Sequence, residues 1–260
     1  MTSKPTFILV IGAWHMADTW GKVVSGLATH GYKATAVTLP TTLGSATASY
    51  TDDVAAVREA IVAETSQGRD VVVVVHSYGG AVGSSALKGL TKASSPDPGS
   101  GVVIGFFMIA TGFMLTGAVF LDRVGGKPLP FWEEESDPGF ALVCVPADDL
   151  FYHDLPKDEA DYWVGRLQKH STRAFTEGAD ISYAGWLEVP VWYLVTTADK
   201  ALPAEAQRAF IKEAIDAGGN VTIREIETSH SPMLSKPDET VGFILEATAA
   251  FSKQKDAGRG

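Results

Sequence analysis

At 260 residues the chain is long enough for one large α/β domain that buries most of the surface its unfolded form exposes, with no need of a disulfide or metal to hold it. Hydrophobic residues make up 45% and charged residues 20%, as in ordinary globular chains. Its 31 acidic residues outnumber 21 basic ones, giving a formal charge of −10, and this excludes the Lys/Arg-rich face that nucleic acid requires.

Taken in chain order, apolar runs alternate with helical periodicity. Residues 7–11 form a short apolar strand ending at Gly12, and 18–30 have helical spacing with Gly31 as the stop. A second strand spans 33–39, closed by Pro40. A helix over 52–67 follows, with Thr51 as its expected N-cap and Asp52 and Asp53 at its positive end. Residues 70–75 contain five consecutive valines, the pattern of a strand covered on both faces inside a parallel sheet. A helix is predicted over 77–90, a loop over 94–101 and a strand over 102–110. The alternation breaks down over 111–187, a stretch with an acidic cluster at Glu133, Glu134 and Glu135 and scattered aromatics. It resumes with a strand at 189–195, a helix at 203–217, a strand at 221–226 and a helix at 237–251, and the tail 252–260 is expected to be disordered. The pattern predicts one doubly wound, mainly parallel α/β domain, with 111–187 inserted as a cap at the carboxyl edge of the sheet, where such folds bind ligands.

The only cysteine, Cys144, cannot form an internal bridge and lies in an apolar run, so a buried, inert thiol is expected. The first residues lack the three-part pattern of a signal peptide, and no apolar run reaches ~20 residues, so a cytoplasmic protein without a membrane span is expected. Ligand spacing for a metal is absent, and Gly12 lacks the further glycines of a dinucleotide loop, so neither metal nor cofactor is expected.

The chemistry concentrates on Ser77, in Val75-His76-Ser77-Tyr78-Gly79-Gly80 between the valine strand and a glycine-rich helix. A nucleophilic serine at a strand–turn–helix needs small neighbours so that helix and strand can approach; Gly79, Gly80 and Gly83 meet that need, although Val75 stands where the usual motif has its first glycine. A capping serine is the simpler reading, but it leaves the glycines unexplained. The hydroxyl needs a base. Of six histidines, His230 follows the last strand and so faces the same sheet edge as Ser77; His30, His153 and His170 lie elsewhere, and His76 should point away. The imidazole needs an acid to hold its tautomer. Asp199, just past the strand at 189–195, is favoured over Asp122, and gives the order Ser, Asp, His. The two amides of an oxyanion hole are expected from Tyr78 and from the loop after the first strand, at Ala13 with Trp14 as second choice. Trp14, His15, Trp132, Trp163 and Trp186 are the expected substrate contacts.

The stretch Ile8-Leu9-Val10-Ile11-Gly12-Ala13-Trp14-His15 resembles the strand-end motif of α/β-hydrolases related to plant methylesterases and hydroxynitrile lyases, with Ile11 in place of the usual first histidine. Thr197-Ala198-Asp199-Lys200 with Pro203 and Gln207 is similar to the acid loop of that group, and His230 falls where its histidine would. As a whole the chain also resembles fungal α/β-hydrolases. The resemblance covers the N-terminal third and the last seventy or so residues. Ser231 occupies the place of the lysine that handles cyanide in the lyases, so the resemblance implies ester chemistry rather than cyanohydrin cleavage. The expected activity is hydrolysis of an ester, lactone or thioester of a small apolar or aromatic molecule; acyl transfer or lactone formation on the same triad, and ligand binding on a hydrolase scaffold, are the alternatives. Oligomeric state is not legible in the residues.

Overall fold

The structure is a computed structural model and describes residues 4–94, 99–134 and 139–257. In chain order the first half is β1 (Thr6–Val10), α1 (Gly21–Thr29), β2 (Ala34–Val37), α2 (Tyr50–Thr65), β3 (Val71–His76), α3 (Gly79–Ala86) and β4 (Val103–Ile109). Between β4 and the next sheet strand come α4 (Phe120–Arg123), β5 (Trp132–Glu134), β6 (Phe140–Val143), α5 (Ala147–Phe151), α6 (Lys157–Val164), β7 (His170–Ser171) and α7 (Arg173–Thr176). The chain then forms β8 (Val191–Thr196), α8 (Ala204–Asp216), β9 (Val221–Ile226), α9 (Pro232–Ser235) and α10 (Pro237–Ala257).

Six strands form a parallel sheet in the order β2-β1-β3-β4-β8-β9. The doubly wound α/β expectation agrees with this, and the physical reason is visible in β1, β3 and β4, whose side chains are all buried because helices cover both faces. From β1 the chain crosses to β2 at one edge, then returns to β3 on the other side of β1. The loops after β1 and β3 therefore leave in opposite directions and open a crevice at their carboxyl ends. The pairs Val10–Val75, His76–Ile109 and Thr196–Ile226 bring the strand ends level, so the segments that follow gather at one rim. The insertion forms a small antiparallel sheet, β5-β6-β7, and short helices.

Several local expectations need correction. Helix α2 begins two residues earlier than expected, at Tyr50: Asp52 reaches back to accept from Ser49 N–H at 2.7 Å and Ser49 Oγ at 2.8 Å, so Ser49 rather than Thr51 is the N-cap. The helix expected over 77–90 is shorter, because Ser77 sits outside it in a left-handed conformation. Residues 252–257 are not disordered but continue α10, which Phe251, fully buried, and a Lys255–Asp70 ion pair tie to the sheet; 258–260 lie outside the described residues, as do 95–98 of the expected loop and Glu135 of the acidic cluster. Cys144 is exposed, at the end of β6 where the small sheet meets solvent. No helix among the described residues is long and apolar enough to cross a membrane, and no group of three or more His, Cys, Asp or Glu among them could hold a metal ion.

Candidate active site

Strand β3 delivers Ser77 to the rim. The strand ends at His76, and Ser77 turns the chain with φ +51° before α3 begins at Gly79. Such a backbone costs a non-glycine residue on the order of 1–3 kcal/mol and persists only where its surroundings hold it. Here Ser77 N–H donates to Ile109 O at 3.1 Å, and Ser77 O accepts from Gly80 N–H at 2.9 Å and from Thr111 Oγ1 at 2.5 Å. The glycines around it have steric reasons. A methyl on Gly12 would lie 2.7 Å from Ser77 Cβ, and one on Gly79 would lie 2.6 Å from Ile11 O. A methyl on Gly83 would lie 2.5 Å from Val75 Cγ1. The room that a glycine at position 75 would provide is thus made by Gly83 across the helix–strand contact.

His230 follows β9 and Asp199 follows β8, and the level strand ends bring them together. His230 Nδ1 lies 2.7 Å from Asp199 Oδ2, with both side chains buried. Because a carboxylate only accepts, Nδ1 carries the proton and Nε2 is left with its lone pair. Asp199 is itself held by its other donors: Ala201 N–H and Leu202 N–H reach Oδ1 at 2.8 Å each, and Thr196 Oγ1 reaches Oδ2 at 2.8 Å. Gln207 Nε2 adds a longer bond to Oδ2 at 3.3 Å. Asp122, the competing acid, is exposed and accepts from Val119 N–H at the start of α4. His76 points away from the crevice, as expected. Its Nε2–H donates to His230 O at 2.8 Å, its ring packs 4.5 Å from that of His230, and burial keeps it neutral by pushing it well below the ordinary histidine range.

The loop after β1 is braced from both sides. His15 Nδ1–H donates to Ala13 O at 2.7 Å and its Nε2 accepts from Tyr152 OH at 2.6 Å; burial lowers this histidine to about 4, so the ring is neutral at pH 7. Trp14 has φ +63°, its N–H donates to His170 Nδ1 at 3.1 Å and its indole N–H to Ala141 O at 3.0 Å. The Trp14 amide is thus engaged by His170, which sets it apart from the neighbouring Ala13 amide; the Tyr78 amide opens α3, where helix N–H groups have no internal partner.

Ser77 and His230 share the wall of one apolar cavity. Its other walls come from Trp14, Phe113 and Met114, from Phe120, Leu129, Phe131 and Phe151 of the insertion, and from Phe210 of α8. Ala110 also lines it, with φ +48°, so all three non-glycine residues of positive φ among the described residues (Trp14, Ser77, Ala110) border this cavity. Of the five expected substrate contacts, only Trp14 lines it. His15, in the same loop, is buried against Ala13 O and Tyr152. Trp186 is buried against Phe113 and donates to Met114 O at 2.6 Å, from the far side of the wall. Trp132 packs on Phe175, and Trp163 is half-buried on α6 beside Tyr162. The phenylalanines that do face the cavity carry no periodic signal; the one signal available for Phe113 and Met114, also missed, is that they closely follow the strand expected over 102–110.

Residues 7–243 match the alpha/beta hydrolase family. Over 252 residues the chain is 33% identical to alpha/beta hydrolase nvfD of Aspergillus novofumigatus, covering 94% of this chain and 96% of that one. It is 27% identical over 266 residues to methylesterase 1 of Arabidopsis thaliana, covering 95% and 97%. Among solved structures, a methylesterase from Arabidopsis superposes with a TM-score of 0.74 at 20% identity, covering 94% of this chain and 99% of that one, a likeness of fold. The match over nearly the whole chain agrees with the parallel sheet and its rim: this chain belongs to the alpha/beta hydrolase family.

Proposed function

We propose that the chain is a serine carboxylic-ester hydrolase that cleaves an ester, lactone or thioester of a small apolar or aromatic molecule through an acyl-enzyme. The observation that carries this reading is His230, held 2.7 Å from the buried Asp199 and lining the same apolar cavity as a serine of strained backbone. Ser77 Oγ attacks the carbonyl carbon while His230 Nε2 takes its proton, and the Asp199 carboxylate stabilises the imidazolium. The developing oxyanion accepts from the Ala13 and Tyr78 amides. Collapse expels the alcohol or thiol, which leaves with the proton from His230. Water then attacks the acyl carbon, giving its proton to the same nitrogen, and the acid departs as Ser77 regains its hydrogen. The aromatic lining favours an apolar group on either side of the scissile bond. The esterase names of the relatives agree with this reading.

A panel of aryl and alkyl esters tests it. The wild-type chain is expected to turn over apolar aryl esters and to be labelled at one residue, Ser77, by a fluorophosphonate. Folded Ser77→Ala is expected to lose the rate by about 10⁶-fold and to take no label. A folded Ser77→Ala variant that keeps most of the rate would remove the serine from the mechanism.

A further inference from the structure

We infer that Asp53 is the positioning residue of the oxyanion site, holding both amide-bearing loops through Tyr78 on one side and through Thr41 and His170 on the other. The inference rests on the reading above, in which the Ala13 and Tyr78 amides receive the oxyanion.

Asp53 lies on α2 and is fully buried. No Lys or Arg among the described residues pairs with it. A carboxylate so placed is costly unless donors surround it. It has three: Thr41 N–H on Oδ1 at 3.0 Å, and Thr41 Oγ1 at 2.7 Å and Tyr78 OH at 2.9 Å on Oδ2. The titratable groups facing this region are Asp52 and Tyr50 on α2, Tyr78 before α3, His170 in β7, and Arg173 on α7, which pairs with Glu177. The turn Pro40–Thr42 and strands β1 and β2 bring no charged side chain, and His76 at the end of β3 is neutral.

The proton positions follow from chemistry. Trp14 N–H donates to His170 Nδ1 at 3.1 Å, so that ring carries its hydrogen on Nε2. Burial lowers His170 to about 3 and keeps it neutral. Nε2–H then donates to Thr41 Oγ1 at 3.1 Å, and the threonine hydrogen goes to Asp53. An unbroken chain thus runs from the Trp14 backbone to the carboxylate, while the second arm, Tyr78, reaches the same oxygen directly. The Tyr78 and His170 rings also touch, with centroids 5.1 Å apart.

Each arm ends where the site is strained. Trp14 at φ +63° follows Ala13, and Ser77 at φ +51° precedes Tyr78. Left-handed backbone at non-glycine residues needs anchoring from outside. The His170 bond also occupies the Trp14 amide, which on the reading above leaves the Ala13 amide to meet the oxyanion from that loop. Two amides from separate loops must converge on one oxygen atom to stabilise it. Asp53 Oδ2 is the acceptor on which the hydrogen-bonded arms from both loops end.

The test is Asp53→Asn, whose amide nitrogen cannot accept. With an aryl ester, kcat is expected to fall on the order of 10- to 100-fold while KM moves less than about threefold, because the loss falls on the transition state. Affinity for a trifluoromethyl ketone, whose adduct places an oxyanion there, is expected to fall in parallel with kcat. Tyr78→Phe cuts one arm and is expected to cost roughly three- to tenfold in kcat, and the double variant is expected to be no slower than Asp53→Asn alone. Burial lifts the Asp53 carboxyl to about 6. Its protonation turns an acceptor into a donor, so wild-type kcat is expected to carry an ionisation near that pH that Asp53→Asn lacks.

A folded Asp53→Asn enzyme with kcat within twofold of wild type, or with KM alone changed, overturns the inference, as does a double variant whose losses multiply. Should Asp53→Asn fail to fold, Tyr78→Phe decides: a kcat loss with lost analogue affinity supports the inference, and no change overturns it. Ser77 labelling and the inactivity of Ser77→Ala test the underlying reading separately, so a neutral Asp53→Asn in a labelled, active enzyme overturns only the positioning role.

Discussion

The rim of the parallel sheet and the insertion between β4 and β8 build opposite walls of one cavity by different means. At the rim, Ser77, Asp199 and His230 stand in segments that directly follow strands, and each owes its place to strand register. In the insertion, Phe120, Leu129, Phe131 and Phe151 contribute surface rather than reactivity, from elements of three to five residues or from the loops between them. On the proposed reading, chemistry belongs to the regular part and selectivity to the irregular part, as expected where a rigid scaffold carries variable loops.

The largest effect that bears on this division compares two acids. Asp199→Asn is expected to lower kcat by about 10⁴-fold, because an amide favours the wrong imidazole tautomer, whereas Asp122→Asn, at the start of an insertion helix, is expected to stay near wild type. Initial rates on one aryl ester decide it. If Asp122→Asn is the crippled variant, the insertion carries chemistry and the division fails.

Asp53 links the two regions through Tyr78 and His170, and its burial is expected to show in stability. A carboxyl raised from 3.8 to about 6 in the folded chain stabilises fully below the lower value and loses that contribution as pH rises through the upper one. Relative to Asp53→Asn, wild type is expected to lose on the order of 3 kcal/mol between pH 3.5 and 7. Urea unfolding of both proteins across that range checks the sign; parallel curves would mean that the carboxyl is not held as the fold places it.

Smaller effects separate the two walls. Phe131→Ala in the insertion is expected to lower kcat/KM for a bulky aryl ester by about 10- to 100-fold, mainly through KM, and to matter little for an acetyl ester. A kcat effect equal on both substrates would place the insertion in the chemical step. The smallest expected change is Trp163→Ala, within about twofold in kcat/KM on every ester, since Trp163 lies beside Tyr162 and not on the cavity. A substrate-dependent loss there would enlarge the binding wall beyond the phenylalanines.

Legibility followed the same boundary. The valine run, the glycines after Ser77 and the positions of Asp199 and His230 were readable because a buried parallel strand has a one-dimensional signature and its carboxyl end is a known place. Even there local detail depended on context: Val75 in place of a glycine looked like a defect until Gly83 proved to supply the space. The large tryptophans of the insertion drew attention by size, yet Trp132 and Trp186 are buried in the walls, because a tryptophan fills a small core as readily as it binds a ligand.

From the residues alone followed the alternation of strand and helix, the edge of the sheet that bears the site, and the three residues offered as a triad, since all depend on local periodicity and chain order. Only the tertiary structure decided that Asp199 rather than Asp122 meets His230, that the Trp14 amide is taken by His170, and that Asp53, Thr41 and His170, separated by up to 129 positions, form one hydrogen-bonded chain. Hydrogen bonds act over about 3 Å in space and leave no periodic trace along the sequence, so partners brought together by a fold can be found only once it is formed.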